Sequence, residues 1–126
     1  MKLAAVAIAS KDFKETVKFY TLLGFSFPEF SADEKHIEPI TKNGDIRLLI
    51  DAPDLLKSLT GIEPIPPTHS SFALQFDSPE EVDDKVSKIK ANGFEIVKEP
   101  WDAFWGQRYA IVKDQDGYMV DLFAEL

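Results

Sequence analysis

Apolar side chains recur at two different spacings along the chain, and these spacings predict which segments are helices and which are strands. Phe13, Val17 and Tyr20 follow one another at intervals of four and three residues, which places them on one face of a helix over residues 12–22. β-Branched and aromatic residues dominate residues 107–113, as expected for a strand. The other predicted strands cover residues 2–9, 25–30, 35–41, 45–51, 71–76, 94–98 and 118–125.

Helix ends and turns are marked by residues with known backbone preferences. Asp12 and the Ser-Pro-Glu-Glu sequence of residues 78–81 have the features of helix N-caps, each with a glutamate three residues after the cap. An Asn-Gly pair at residues 43–44 and an Asp/Gly cluster at residues 114–117 predict tight turns. Pro28 weakens the strand predicted around it, which we expect to be an edge strand or a bulged one.

The predicted elements occur twice in the same order, because the two halves of the chain repeat one another. Self-similarity at a fixed offset indicates two copies of one structural unit. Each copy reads strand–helix–strand–strand–strand, a βαβββ module, and the two modules cover about residues 1–52 and 69–126. Five pairs of matching positions are 69 residues apart: Phe13/Val82, Val17/Val86, Tyr20/Ile89, Gly24/Gly93 and Phe25/Phe94.

The segment between the modules is rich in proline. We interpret residues 53–68 as a stiff linker that contains at most a short helix over residues 54–59. A module of four strands and one helix leaves one face of its sheet uncovered. We therefore predict a single α+β domain over residues 1–126, in which two βαβββ modules form a curved mixed sheet around a cleft.

Strand alternation predicts which side chains face this cleft rather than the helices. Leu48 and Ile50 in the first module, and Val120 and Leu122 in the second, form the helix-facing rows. The side chains between them are partly apolar and partly polar, which suits a small-molecule site. The ligand-binding residues predicted in this way are Arg47, Leu49, Ser71, Gln75, Met119, Asp121 and Phe123.

A group of aromatic residues precedes the last predicted hairpin. Trp101, Phe104 and Trp105 lie close together in the sequence, and Arg108 follows them. We predict that these four residues form one wall of the ligand site, with Arg108 either meeting a ligand carbonyl or bracing the tryptophan loop. The alternative is that the tryptophans only seal the end of the core.

The same hairpin resembles the C-terminal signature of the glyoxalase / bleomycin-resistance / extradiol-dioxygenase superfamily, whose fold is called the vicinal oxygen chelate fold. Residues 16–25 are similar to a second motif of that family, around its first helix. Gln115 stands where the family's turn usually has proline. The residues that carry the hairpin resemblance are Trp105, Gly106, Arg108, Asp114, Asp116, Gly117, Asp121 and Leu122. The resemblance implies paired βαβββ modules enclosing a ligand cleft.

Enzymes of this superfamily hold a divalent metal with one His, Glu or Gln from each of four strands. The resemblance carries those positions onto Ala5, Leu49, Ser71 and Asp121, or onto His69 in place of Ser71 if the strand is shifted by two residues. Ala5 and Leu49 cannot ligate a metal, and a catalytic site generally has at least three protein ligands. We therefore expect no cofactor, and His69 with Asp121 is the alternative metal pair.

Three functions are compatible with the sequence. The resemblance is closest to metal-independent, bleomycin-resistance-like members, which implies a protein that sequesters a cationic or aromatic antibiotic or metabolite. In such a site the aromatic residues would stack on the ligand and acidic residues would complement its charge. The alternative is a metal-dependent lyase, isomerase or dioxygenase of the same superfamily. A structural or protein-interaction module is the third interpretation, and no catalytic residue is predicted.

Charge and composition exclude several classes of function. The net charge of −8, from 22 acidic and 14 basic residues, argues against nucleic-acid binding, which requires a basic surface. No apolar run approaches the roughly 20 residues of a membrane span. The absence of cysteine excludes disulfides and thiolate metal sites. We expect a cytoplasmic homodimer without membrane or nucleic-acid partners, and we expect His36, in a polar stretch, to be solvated.

Overall fold

The computed structural model describes residues 1–67 and 71–126. The chain divides into two compact units, Met1–Pro66 and Pro67–Leu126. Each unit contains a mixed sheet and at least one helix, so the predicted α+β class is confirmed. His69, an alternative metal ligand in the sequence analysis, lies outside the described residues. Within the described part of the chain, the helices are too short or too polar to cross a membrane.

The first unit contains three strands and two helices: β1 (Ala5–Ala9), α1 (Phe13–Leu23), β2 (His36–Ile37), β3 (Arg47–Asp51) and α2 (Pro53–Thr60). Its strands form one sheet in the order β1-β3-β2. β1 runs parallel to β3, whereas β2 is antiparallel to it. The helix α2 lies in the segment predicted to be a linker, and no side chain caps its start.

Helix α1 begins and ends where local chemistry dictates. The Asp12 carboxylate accepts the backbone N–H of Lys14 at 3.0 Å, which satisfies one of the unpaired donors of the first turn. Gly24 ends the helix in the left-handed region, with φ of 116°. The buried face of α1 is rotated from the predicted one, because Phe13 and Val17 lie at its border. Its buried residues are Thr16, Phe19, Tyr20 and Leu23.

Two strands predicted for the first unit are corrected by the structure. Residues 25–30 form no strand, and the strand predicted over residues 35–41 is reduced to β2. The two segments are still joined by one bond, in which the Ile40 N–H donates to the Ser26 carbonyl at 2.7 Å. Pro28 and Pro39 have no N–H to donate, so a continuous ladder cannot form between these segments.

The second unit contains four strands and one helix: β4 (Phe72–Gln75), α3 (Pro79–Ala91), β5 (Glu95–Ala103), β6 (Gln107–Lys113) and β7 (Met119–Glu125). Its strands form one sheet in the order β4-β7-β6-β5, with β4 parallel to β7 and the other pairs antiparallel. The helix α3 packs against β5, β6 and β7. The core between helix and sheet consists of buried aliphatic residues: Val82, Val86, Ile89, Ala110, Val112, Val120, Leu122 and Ala124.

Strand β5 is longer than predicted, because it continues through Pro100 to Ala103. The pairing of β5 with β6 shifts register twice, between Ile96 and Lys98 and between Lys98 and Trp101. β5 is the last strand in the order of this sheet, and a proline is tolerated in such an edge strand beside a bulge. The extension places Trp101 on a strand rather than on a loop.

The turn between β6 and β7 is closed by its own first residue. The Asp114 carboxylate accepts the backbone N–H groups of Asp116 at 2.9 Å and Tyr118 at 3.0 Å. Gly117 adopts φ of 98°, a conformation that other residues rarely adopt. Asp114 thus fixes the turn although Gln115 takes the place of the proline common in related turns.

Candidate ligand-binding site

One face of the second unit's sheet carries a cluster of aromatic side chains. Register places Tyr109 opposite Phe123 on β7 and opposite Trp101 on β5. Because neighbouring residues on a strand point to opposite faces, these rings lie on the face opposite the buried residues that meet α3. We call this surface the aromatic face, and it comprises Trp101, Trp105, Tyr109, Asp121 and Phe123.

The rings of the aromatic face form a continuous series of contacts centred on Tyr109. Its ring centroid lies 5.3 Å from that of Trp101 and 5.4 Å from that of Trp105, both in edge-to-face geometry. Phe123 is stacked on Tyr109 at 6.1 Å. Phe104 extends the series beyond Trp105 and is 98% exposed. Edge-to-face contacts hold rings at fixed angles, so the cluster offers a rigid apolar surface.

A polar pair lies within this apolar surface. The Tyr109 hydroxyl donates a hydrogen bond to the Asp121 carboxylate at 2.8 Å. Burial, followed by the hydrogen bond and the charge of Asp121, raises the pKa of Tyr109 to about 12. Tyr109 therefore keeps its proton at neutral pH, and Asp121 retains one oxygen that this bond does not use.

A cationic side chain of the protein, Lys98, lies against one of these rings. The Lys98 ammonium lies 3.9 Å from the centre of the Trp101 ring, within the range of a cation–π interaction. The Trp105 indole N–H donates to Gln107 at 2.9 Å, which fixes the orientation of the second tryptophan. The sequence analysis identified neither Lys98 nor Tyr109. Alternation along residues 107–113 would have placed Tyr109 on the side opposite Ala110 and Val112.

Arg108 is not on the aromatic face, which corrects its predicted position in the ligand wall. Its guanidinium donates two hydrogen bonds to Asp83 of α3, at 2.9 and 3.0 Å, and a third to Asp102 of β5 at 3.1 Å. The Asp83 bonds, followed by the bond to Asp102, raise the pKa of Arg108. Arg108 therefore joins the helix to the edge strand of the sheet, at the residue that follows Trp101.

The remaining predicted residues of the second unit lie near the aromatic face. Met119 is half-buried and opposes Lys113 in the ladder. Gln75 is exposed and pairs with Phe123 across the parallel β4–β7 ladder. Ser71 is exposed and comes directly before β4. Ligand contact by each of these residues stays a prediction.

In the first unit, Arg47 and Leu49 lie on the face of the sheet opposite the buried Leu48 and Ile50. Leu49 is half-buried and lies beside Ala7 of β1. Arg47 is exposed, and its guanidinium Nε donates to Glu38 at 3.0 Å. This part of the sheet thus combines an apolar centre with a charged margin.

His36 is exposed, as expected, but its ring also contacts two carboxylates that the sequence analysis did not identify. Its Nδ1 lies 2.6 Å from Asp51 and its Nε2 lies 2.9 Å from Glu38. The bond to Asp51, then that to Glu38, raises the pKa of His36. Arg47, followed by His36, lowers the pKa of Glu38. Only the β2–β3 register brings Asp51 to His36, so no local sequence signal identifies this pair.

The comparisons with known proteins agree with this architecture. Residues 2–122 match the family model described as the Glyoxalase/Bleomycin resistance protein/Dioxygenase superfamily. The chain belongs to this superfamily. The search of curated proteins returned no match.

Solved structures of other proteins share the fold at low sequence identity. A hypothetical protein of S. aureus matches with a TM-score of 0.81 and 22% identity, over 98% of this chain and 94% of that one. A glyoxalase/bleomycin resistance protein/dioxygenase family enzyme from Burkholderia phytofirmans PsJN has a TM-score of 0.82 and 20% identity, over the whole of both chains. A glyoxalase-related enzyme from Fulvimarina pelagi has a TM-score of 0.84 and 16% identity, over 98% and 88%.

Many enzymes of the glyoxalase superfamily use a divalent metal. Whether this chain could hold such a metal depends on the donor atoms that its side chains offer. Ala5 and Leu49, onto which the resemblance carries two of the family's four ligands, have no donor atom in their side chains. Asp121, at a third, accepts the Tyr109 hydroxyl. Within residues 1–67 and 71–126, no three His, Cys, Asp or Glu side chains are grouped so that they could hold a metal ion. The described residues therefore do not fit the metal of the superfamily's enzymes.

Proposed function

We propose that this superfamily member binds a small aromatic molecule bearing a positive charge, and sequesters it without chemical change and without a metal. The observation that carries the proposal is the aromatic face, where a carboxylate bonded to Tyr109 lies beside rings in mutual contact. A planar ligand would stack on Phe123 and Tyr109. Ring stacking contributes about 0.5–1.5 kcal/mol per pair beyond the area that it buries.

We propose that the positive charge of the ligand pairs with the Asp121 carboxylate rather than with the indole of Trp101. The Lys98 ammonium already occupies the face of that indole, so a second cation there would be repelled. Asp121 has a carboxylate oxygen beyond the one bonded to Tyr109 and lies next to Phe123 along the face. The net charge of −8 also favours the approach of a cation.

The test compares two dyes of the same ring size. Proflavine is cationic, whereas its parent ring acridine is uncharged at neutral pH, and binding of each is followed by quenching of tryptophan fluorescence. We expect Phe123→Leu to weaken both dyes about 2- to 10-fold through lost stacking. Asp121→Asn is expected to weaken proflavine alone. Phe13→Leu, which removes an aromatic contact with Phe30 in the first unit, is the matched control.

The proposal fails if neither dye binds, or if Phe13→Leu weakens binding as much as Phe123→Leu does. Binding in excess EDTA is expected to equal binding without it. If binding instead requires added Ni²⁺, Zn²⁺, Mn²⁺ or Fe²⁺, the metal-free part of the proposal is refuted and the metal-dependent enzyme takes its place.

A further inference from the structure

The charged residues of the first unit form a second arrangement, and the inference drawn from it is independent of the function proposed for the aromatic face. Glu38 contacts two cationic groups at once. Its Oε2 accepts Arg47 Nε at 3.0 Å, and its Oε1 lies against both Arg47 Nη2 and His36 Nε2. A planar guanidinium that meets both oxygens of a carboxylate is the strongest common recognition geometry for that group.

The imidazole side of this arrangement is fixed independently of Glu38. Asp51, which is buried, bonds His36 Nδ1 at 2.6 Å and so turns Nε2 toward Glu38. Because both ring nitrogens face carboxylates, these contacts favour the imidazolium form, which has a proton on each nitrogen. Arg47 and His36 together therefore present several N–H donors to one carboxylate, and we call this pair the carboxylate clasp.

Glu38 borders both the clasp and a groove on the surface of the first unit. It follows the two-residue strand β2, precedes Pro39, and has a side chain that is 23% exposed. The groove, of about 500 Å³, is lined by Glu38 and Arg47 and also by Lys2, Lys42 and Asp45. Two lysines and one further carboxylate thus share this groove with the clasp arginine.

We propose that the clasp of Arg47 and His36 is a binding site for small organic acids, and that Glu38 occupies it as an internal ligand which an incoming carboxylate displaces. The exchange conserves charge, because one carboxylate replaces another beside the same two cations. A dicarboxylate fits best, since its second carboxylate would reach toward the lysines of the groove. The site would thus be inhibited by its own chain until such an acid is abundant.

Succinate is the probe, and isothermal titration near pH 6 is the measurement. When an internal competitor occupies the site, the apparent affinity equals the intrinsic affinity multiplied by the fraction of molecules in which the site is free. We therefore expect Glu38→Ala to bind succinate at least about tenfold more tightly than the unmodified chain. The double variant Glu38→Ala/Arg47→Ala is expected to lose this gain. Binding to Glu38→Ala should also weaken as pH rises and His36 loses its proton.

Glu99→Ala is the matched control, because Glu99 belongs to an exposed ion pair with Lys90 in the second unit and its removal changes net charge equally. An equal gain in Glu99→Ala would overturn the proposal, since the effect would then come from overall charge. No gain in Glu38→Ala would also overturn it. The NMR signals of the His36 ring in the unmodified chain add a readout that needs no variant. They should shift with saturating succinate, and their failure to do so counts against displacement.

Discussion

The contact between Arg108 and Asp83 allows a quantitative test of where Arg108 acts. Arg108 is 25% exposed and bonds both oxygens of Asp83, whereas a typical surface ion pair is flexible and worth about 0.2–1 kcal/mol. Charge-assisted bidentate pairs are roughly twice as strong as neutral hydrogen bonds. Partial exposure of both partners reduces this value, so we expect a coupling free energy of about 1–1.5 kcal/mol between the two side chains.

A double-mutant cycle with Arg108→Ala and Asp83→Ala, measured by urea unfolding, gives this coupling directly. The pair Asp84–Lys88 is the control on the same helix, because its side chains are 52% and 54% exposed. Its cycle should give about 0.3–0.5 kcal/mol. We call Arg108 a clamp because it joins α3 to the sheet. A coupling free energy for Arg108 and Asp83 no larger than that of the control would refute this interpretation.

The clamp also predicts a separation of stability from binding. Arg108→Lys loses the planar fork and should lower the free energy of unfolding, because a lysine cannot bond both oxygens of Asp83 in the same way. Proflavine binding by the folded fraction should be unchanged, since Arg108 lies on the α3 side of the sheet. Loss of dye binding at unchanged stability would instead return Arg108 to the ligand wall, as the sequence analysis had it.

Two further predictions concern titration. The pKa of His36 is raised on folding, so its stabilising effect is complete below its ordinary value of 6.5 and is lost as pH rises through the higher folded value. The urea midpoint should therefore fall across this interval in the unmodified chain but not in His36→Gln, and equal slopes would contradict the assignment. Asp121→Asn should lower the pKa of Tyr109 from about 12 only part of the way to 10.0, because burial is the larger cause of the shift. An NMR titration of the Tyr109 ring carbon checks this, and an unchanged value would mean that Asp121 has no influence.

Elements whose limits are set by neighbouring residues were predicted well from the sequence. Helix α1 begins after Asp12 and ends at Gly24, and β6 has the predicted limits. The predictions fail where tertiary contacts determine whether a strand forms or how far it extends. Pro28 was recognised as an obstacle, but only the chain's path shows that Pro39 removes a donor from the facing segment. The bulges that carry β5 past Pro100 depend on its register with β6, which alternation alone does not determine.

The candidate site also has features that the sequence predicts and features that only tertiary structure reveals. Alternation correctly places Asp121 and Phe123 on the face opposite the core of the second unit. It did not reveal the partner of Arg108, because Asp83 is distant in sequence and meets it only through the packing of α3 on the sheet. The buried carboxylate partner of His36 was missed for the same reason, since strand pairing brings it to a residue in a polar segment. Contacts between residues that are distant in sequence, and that strand pairing or helix packing brings together, are thus the part of the site that a single sequence does not reveal.

The self-closing turn at Asp114 has a consequence for how the second unit folds. Its two hydrogen bonds span only a few residues, so the β6–β7 hairpin can form before any distant segment arrives. The parallel pairing of β4 with β7 must instead close a loop that contains α3, β5 and β6, and loop closure costs more entropy as the loop lengthens. We therefore expect the hairpin to form first and β4, the strand farthest from it in sequence, to pair with β7 last.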